Sequence, residues 1–251
     1  MHAGRDNPFG MEPTLTPIGK NDTFCFDCNR NVPCFNACCR DLNQALTPYD
    51  ILRLKKHLDL PSHRFLERYT LQHIGPETGL PIVTLRPDAS AEKCCPFLTT
   101  DGCSVYHARP SSCRIYPIAR AVGFNRETGR LSEHFAILKE PHCKGFEQPK
   151  SRTVREWNTD QGVDRYCAFN DMLMEIISLK NRSHPEPLNL SEQRLFHLAL
   201  YDLDGFREHL FDKGLAADLD LGDKRVEALK SDDEALLAFG HAWVKENLFG
   251  K

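Results

Sequence analysis

No run of about 18 apolar residues occurs anywhere in the 251-residue chain, so no segment of it reads as a membrane-spanning helix. The first twenty residues are rich in Gly and Pro and hold no apolar stretch of the kind an export signal carries, which predicts a cytoplasmic protein. Charge of one sign is lacking too: 32 Lys and Arg stand against 35 Asp and Glu, a net charge of −3. That balance offers no basic face to nucleic acid or to an anionic membrane, and neither is expected as a partner. The basic pair Lys55–Lys56 falls on an amphipathic helical pattern and reads as a solvated helix face. Glycine-rich catalytic loops are missing as well. There is no P-loop, GxGxxG, GxSxG or HExxH, which argues against nucleotide, hydrolase and zinc-protease chemistry and weakens the case for a glycine-loop SAM site. Internal repeats and low-complexity tracts are likewise missing.

What the chain has in excess is cysteine. Eleven are present, an odd number, in a chain long enough to bury a core without disulfides. All but Cys167 lie between Cys25 and Cys143, and five fall from Cys25 to Cys39 beside Asp27, Asn29, Arg30, Asn31 and Arg40. Core thiols would be scattered singly among apolar neighbours; clustered thiols in polar surroundings point to metal. Cys25-x2-Cys28 alone would fit a redox pair, but Asn29–Pro33 reads as a turn where a thioredoxin-like pair wants a helix. Cys34-x3-Cys38-Cys39 is not the CxxxCxxC pattern of radical SAM enzymes, because Asp41 stands where the third cysteine belongs. Adjacent cysteines point in different directions, so Cys38 and Cys39 either serve different metals or bridge two.

A second group runs from Cys94-Cys95-Pro96 through Asp101-Gly102-Cys103. Asp-Gly is a strong two-residue hairpin signal, which predicts that Thr100 pairs with Cys103 and Cys95 with Ala108. Cys95 and Cys103 would then face opposite sides, about 16 Å apart along the strand. Either the hairpin is shorter and irregular near Pro96, or the two thiols serve different metals. Arg109–Pro117 reads as a tight turn carrying Cys113, and Cys143 sits in a loop where Gly145 would let the backbone approach a metal.

These residues resemble the YkgJ-like cysteine-cluster family, a zinc- or iron-chelating domain of the CxxCxxCC type. The likeness rests on Pro33–Arg40, Leu46-Thr47-Pro48-Tyr49-Asp50, Cys95-Pro96-Phe97-Leu98, and Cys103–Pro110 running on to Cys113-Arg114-Ile115-Tyr116-Pro117. It covers about residues 24–170. The resemblance implies Cys28, Cys34, Cys38, Cys39, Cys95, Cys103, Cys113 and Cys143 as metal ligands, with Cys25, Cys94 and Cys167 as bystanders. Eight thiolates would fill two four-cysteine sites, which suits zinc, iron–sulfur clusters, or one of each. Here the spacing Cys28-x5-Cys34 is wider than the family pattern, so the first position stays open between Cys25 and Cys28. His107 and His142 lie beside these thiols and read as supporting or solvent-facing groups.

The remaining pattern predicts an α+β fold: a metal-stabilised cysteine-rich part of small β-hairpins and short helices, followed by an α-helical C-terminal part. Its expected divisions are an N-terminal segment over 1–23, a cysteine-cluster domain over 24–150 and a helical region over 151–251. Thr47-Pro48-Tyr49-Asp50 opens a helix, and Ser62–Tyr69 forms another. Hairpins are expected over 71–85 and 119–138, and Ser231-Asp232-Asp233-Glu234 reads as a capping box for the last helix. Cys167 is expected in a helix core. The leading function is metal or cluster binding, serving electron transfer or metal handling. Two others stand beside it: a protein-lysine N-methyltransferase, from the family's link to flagellin lysine-N-methylase, and a zinc-stapled module whose C-terminal helices take a protein partner.

Overall fold

The computed structural model describes residues 13–89, 92–124, 131–214 and 222–250. The chain begins with strands β1 (Thr14–Ile18) and β2 (Thr23–Cys25), then β3 (Ala45–Leu46), helices α1 (Pro48–His57) and α2 (Ser62–Tyr69), and strands β4 (Thr70–Ile74) and β5 (Pro81–Leu85). A miniature hairpin, β6 (Leu98–Thr99) and β7 (Gly102–Cys103), precedes the short helix α3 (Ser111–Ile115). Strands β8 (Ile118–Phe124), β9 (Leu131–Lys139) and β10 (Ser151–Thr153) follow. The rest is helical: α4 (Val154–Gln161), α5 (Asp164–Ser183), α6 (Leu190–Leu200), α7 (Leu203–Phe211), α8 (Asp223–Ser231) and α9 (Asp233–Phe249). The sheets are small and antiparallel, in the orders β1-β9-β8, β10-β2, β3-β5-β4 and β6-β7. This is the expected α+β mixture with a helical C-terminal region.

Local chemistry sets the boundaries. The Thr47 hydroxyl accepts from the Asp50 amide while the Asp50 carboxylate accepts from the Thr47 amide, closing a capping box with Pro48 at the first helical position. Thr153 with Glu156 caps α4, and Asn189 with Glu192 caps α6, in the same way. The α9 cap differs from expectation. Ser231 ends α8, and the Asp232 carboxylate takes the Glu234 and Ala235 amides instead.

The hairpin at Gly102 also differs. Leu98 pairs with Cys103 and Thr99 with Gly102, so Thr100–Asp101 is the turn and the ladder ends two residues back. Gly102 takes the positive φ of 119°, with the Phe35 ring 3.2 Å from where a Cβ would sit. Pro96 has no amide to give a ladder, and Phe97 turns into the core. Cys95 therefore lies outside the hairpin, its carbonyl accepting from the Leu98 amide, and the expected opposition of Cys95 and Cys103 does not arise. Arg109–Pro117, expected as a turn, contains α3.

Two apolar cores result. The larger joins Leu54, Phe65 and Val83 of the N-terminal half to Phe196, Phe206 and Val244 of the helical half, so it crosses residue 151. The smaller gathers Phe24, Phe26, Ile118, Phe135, Val154 and Trp157 behind the first cysteines. Within it the Phe26 ring stands edge-on to Trp157, Phe146 and Tyr116. The larger core is pinned by a half-buried ionic knot in which Lys55 meets Asp204 and Asp233, and Arg207 meets the same two carboxylates.

His241 lies wholly inside that core, its Nδ1–H donating to the Leu237 carbonyl over 2.8 Å. Nε2 meets no partner among the described residues, and burial brings the imidazole pKa down to about 4. A neutral histidine that must gain a proton on unfolding contributes stability above the unfolded pKa of about 6.5, and this is lost as pH falls toward the folded value. Denaturant titrations of the protein and of His241→Leu should therefore diverge between pH 7 and 4. The parent should lose about 3 kcal/mol that the variant keeps.

Candidate metal centre

Three stretches without long secondary structure carry Cys28, Cys34, Cys38, Cys39, Cys95 and Cys143, and main-chain bonds tie them together, while Cys103 lies on β7 and Cys113 on α3. The first runs from Asp27, whose carboxylate accepts from the Cys28 amide, through a series of turns to the short 3-10 turn Ala37–Cys39. Asn36 takes the left-handed conformation before that turn, which suits Asn. The second stretch lies against the first. Asp41 donates to the Glu92 carbonyl, Leu42 to that of Lys93, and the Cys95 amide to that of Cys39, at 2.8, 3.1 and 2.8 Å. The third is the Cys143 loop, where the Asp27 amide donates to the Gly145 carbonyl and the Lys144 amide to the Cys34 sulfur over 3.0 Å. A Cβ on Gly145 would stand 2.4 Å from the Phe26 ring and 2.9 Å from the Asp27 carbonyl. Glycine there permits contact with the first cysteine stretch, where the sequence suggested contact with a metal.

Cys113 is placed by α3, and α3 by a wholly buried Asp50. One carboxylate caps two helices: it accepts from Thr47 at the start of α1 and, 61 residues away, from the Ser111 amide (2.7 Å) and hydroxyl (3.2 Å). Arg114 fixes the far side of α3, donating to the Gln161 carbonyl at 2.6 Å and the His107 carbonyl at 2.7 Å. Arg109 stacks on the Tyr106 ring and reaches the Gln161 side chain. Neither Asp50 nor these arginines was singled out from sequence. Asp50 reads there only as an acid in the first turn of a helix, and its second partner is a long-range contact.

The thiols themselves form two neighbouring groups. Cys28 faces Cys34, Cys38 and Cys143, while Cys113 faces Cys38, Cys95 and Cys103. Cys39 faces Cys38, Cys95 and Cys113, so Cys38 lies between the groups. All eleven cysteines are free thiols. Burial first, then neighbouring sulfurs, pushes Cys28 up to about 11 and Cys113 up to about 12. Burial likewise brings Cys95 to about 11 and raises Cys103 and Cys143. The Cys39 thiol donates to Cys38, lowering Cys38 to about 7 and raising Cys39. Solvent still reaches Cys28, Cys38 and Cys113, although protein atoms crowd around them.

A repeated contact stands out. The main-chain amides of Phe97, Val105 and Gly145, each two residues further on, work against burial at Cys95, Cys103 and Cys143, although all three thiols stay raised. Such amides favour a thiolate over a thiol, and thiolate sulfur ligates a soft or borderline cation. The donor set fits zinc or iron–sulfur iron, which thiolates prefer. The groups converge without closing: among the described residues, no set of three or more His, Cys, Asp or Glu side chains stands ready around an ion position.

Of the three expected bystanders, Cys94 neighbours Cys95 and so lies beside these thiols. Cys25 is exposed on β2, and Cys94 is held between Arg40 and Glu92. Cys167 does not pack in a helix core. It lines a polar groove of about 490 Å³ beside Arg120, whose guanidinium is paired with Asp171 and Glu133.

Loss of the carboxylate at Asp50 leaves the part-buried Thr47 and Ser111 amides without this partner. Asp50→Ala should cost on the order of 3 kcal/mol, and bound metal should fall with it. Arg53→Ala, on the same helix but half-exposed, is the control and should change neither.

Residues 27–149 match the family model described as "CxxCxxCC: Putative zinc- or iron-chelating domain". No curated protein and no solved structure matches the chain significantly. The family match spans both thiol groups, the hairpin at Cys103, the Asp50–α3 anchor and the Cys143 loop. Over residues 27–149, just under half of its length, the chain is similar to this zinc- or iron-chelating cysteine-cluster family.

Proposed function

We propose that residues 24–150 form a metal-binding unit with two four-thiolate sets. Cys28, Cys34, Cys38 and Cys143 make one set, and Cys39, Cys95, Cys103 and Cys113 the other. The observation that carries this reading is the convergence of eight thiols from segments far apart in the chain, with the Lys144 amide donating to the Cys34 sulfur. Eight soft donors in two sets suit two zinc ions or two clusters. A zinc ion would supply folding free energy, and an iron–sulfur cluster would add the capacity to carry an electron. The role is then metal handling or electron transfer in a compartment that keeps thiols reduced, the cytoplasm. The chain's own residues orient the sulfurs, lower the cost of their ionisation through amide donors, and leave openings at Cys28, Cys38 and Cys113 through which an ion enters.

Anaerobic purification with metal analysis tests the reading. Brown protein absorbing near roughly 400 nm identifies clusters, and colourless protein with bound zinc identifies zinc. Serine at Cys34, Cys38, Cys113 or Cys143 should lower bound metal and solubility together. Serine at Cys94 or Cys167 should leave metal content close to that of the parent. Equal loss at all six positions would refute the ligand assignment.

A further inference from the structure

Strand β4 is the edge of its sheet, since the order β3-β5-β4 leaves it one neighbour. Its pairing with β5 runs unbroken from Thr70–Leu85 to Ile74–Pro81. Bonds just beyond each end fix the phase of the ladder: the Gly75 amide donates to the Leu80 carbonyl at 2.9 Å, and the Arg86 amide to the Tyr69 carbonyl at 2.8 Å. Antiparallel pairs alternate, so Leu71 and His73 turn their main-chain groups to β5 while Thr70, Gln72 and Ile74 turn theirs outward. Thr70 is satisfied there. Its amide donates to the Leu66 carbonyl at the end of α2, and its carbonyl accepts from the Arg86 guanidinium at 2.9 Å. The amides and carbonyls of Gln72 and Ile74 stay open, without partners among the described residues. Edges of this kind are usually blunted by proline, charge or a bulge. The β4 sequence, Thr-Leu-Gln-His-Ile, has none of these.

Beside the open edge lies a groove of about 330 Å³, lined by Gln72 and by Leu190, Gln193, Arg194, His197 and Leu198 of α6. Gln72 shares its sheet face with the buried Val83 yet is itself exposed, so α6 stops short of covering the strand. Six large apolar side chains stand exposed among the described residues, and three of them, Leu71, Ile74 and Leu190, belong to β4 and the start of α6. Such gathering marks an interaction surface. Arg194 gives the groove its charge. It is exposed and makes no ion pair among the described residues, and no carboxylate is found in the lining. We propose that β4 and this groove take an extended acidic segment of a partner protein, which adds to the sheet as a strand beyond β4. The open groups of Gln72 and Ile74 supply the pairing. Alternate side chains of the segment enter the groove, a carboxylate meeting Arg194 and apolar neighbours meeting Leu190 and Leu198. A second copy of this chain is the poorer occupant: β4 paired with β4 about a two-fold axis puts both α6 helices on one face and sets Arg194 against Arg194. The inference is independent of the metal-binding reading.

Short end-blocked peptides that alternate threonine with valine or aspartate are the probe, with lysine for aspartate as the control. Both are titrated into the full chain and followed by fluorescence anisotropy and amide hydrogen exchange. The acidic peptide should bind and slow exchange at Gln72 and Ile74, while Leu71 and His73, already paired, change little. Arg194→Glu turns attraction into repulsion at an exposed site and should weaken binding by about tenfold. Gln72→Pro removes one outward amide and spares the ladder to β5, and it should weaken binding by about tenfold as well. A peptide N-methylated at its edge-facing amides tests the same bonds without touching the fold, and it should not bind. No binding of the acidic peptide, equal binding of the lysine peptide or of the N-methylated one, or full affinity in Arg194→Glu would each overturn the proposal. A parent that dimerises through β4, and is made monomeric by Gln72→Pro, would give the edge to a second copy and overturn it too.

Discussion

Three cysteine-bearing stretches have to meet while burying little apolar surface of their own. Residues 27–42, 92–97 and 139–148 hold turns and single 3-10 turns, and the Ala37–Cys39 turn buries no residue at all. A handful of main-chain bonds joins them, chiefly the three between 39–42 and 92–95 and the pair that binds the Cys143 loop to Asp27 and Cys34. Closing loops of tens of residues is entropically unfavourable, and bonds of this number offset it weakly. Metal–thiolate bonds can supply what is missing, on the order of 10 kcal/mol in small zinc modules.

The scaffold beneath these stretches has its own source of stability. Helices α1 and α2 and strand β5 share one apolar core with α5–α9, so half of the cysteine-rich region is anchored by residues far downstream. The smaller core around Phe26 and Trp157 backs the first cysteines and sets where Cys28 begins. Between the two cores runs α3, suspended from Asp50 on one side and Arg114 on the other. The thiols thus occupy the seam between two apolar cores, and the rigid elements aim them there.

Much of this was legible in the chain, and the misses share a cause. The Thr47 cap, the 62–69 helix and the hairpins over 70–85 and 118–139 follow from local signals and appear nearly where those signals place them. The ladder at Cys103 did not, because the positive φ of Gly102 and the inward turn of Phe97 answer to Phe35 and the core, which lie outside any local pattern. Gly145 was read as room for a metal, yet its neighbour is Phe26, 119 positions earlier in the chain. The second role of Asp50 is a product of tertiary packing alone. Cysteine spacing marked the region well; the packing that gathers the sulfurs needed the fold.

The central claim is that metal closes the cysteine stretches on a scaffold that packs without it. Amide hydrogen exchange on the purified protein, before and after removal of metal by a strong chelator, tests this most directly. The account predicts that protection falls together over 27–42, 92–97 and 139–148. Protection should persist over 48–85 and 154–214, where the shared apolar core holds the chain. Cysteine stretches as well protected without metal as with it would contradict the account.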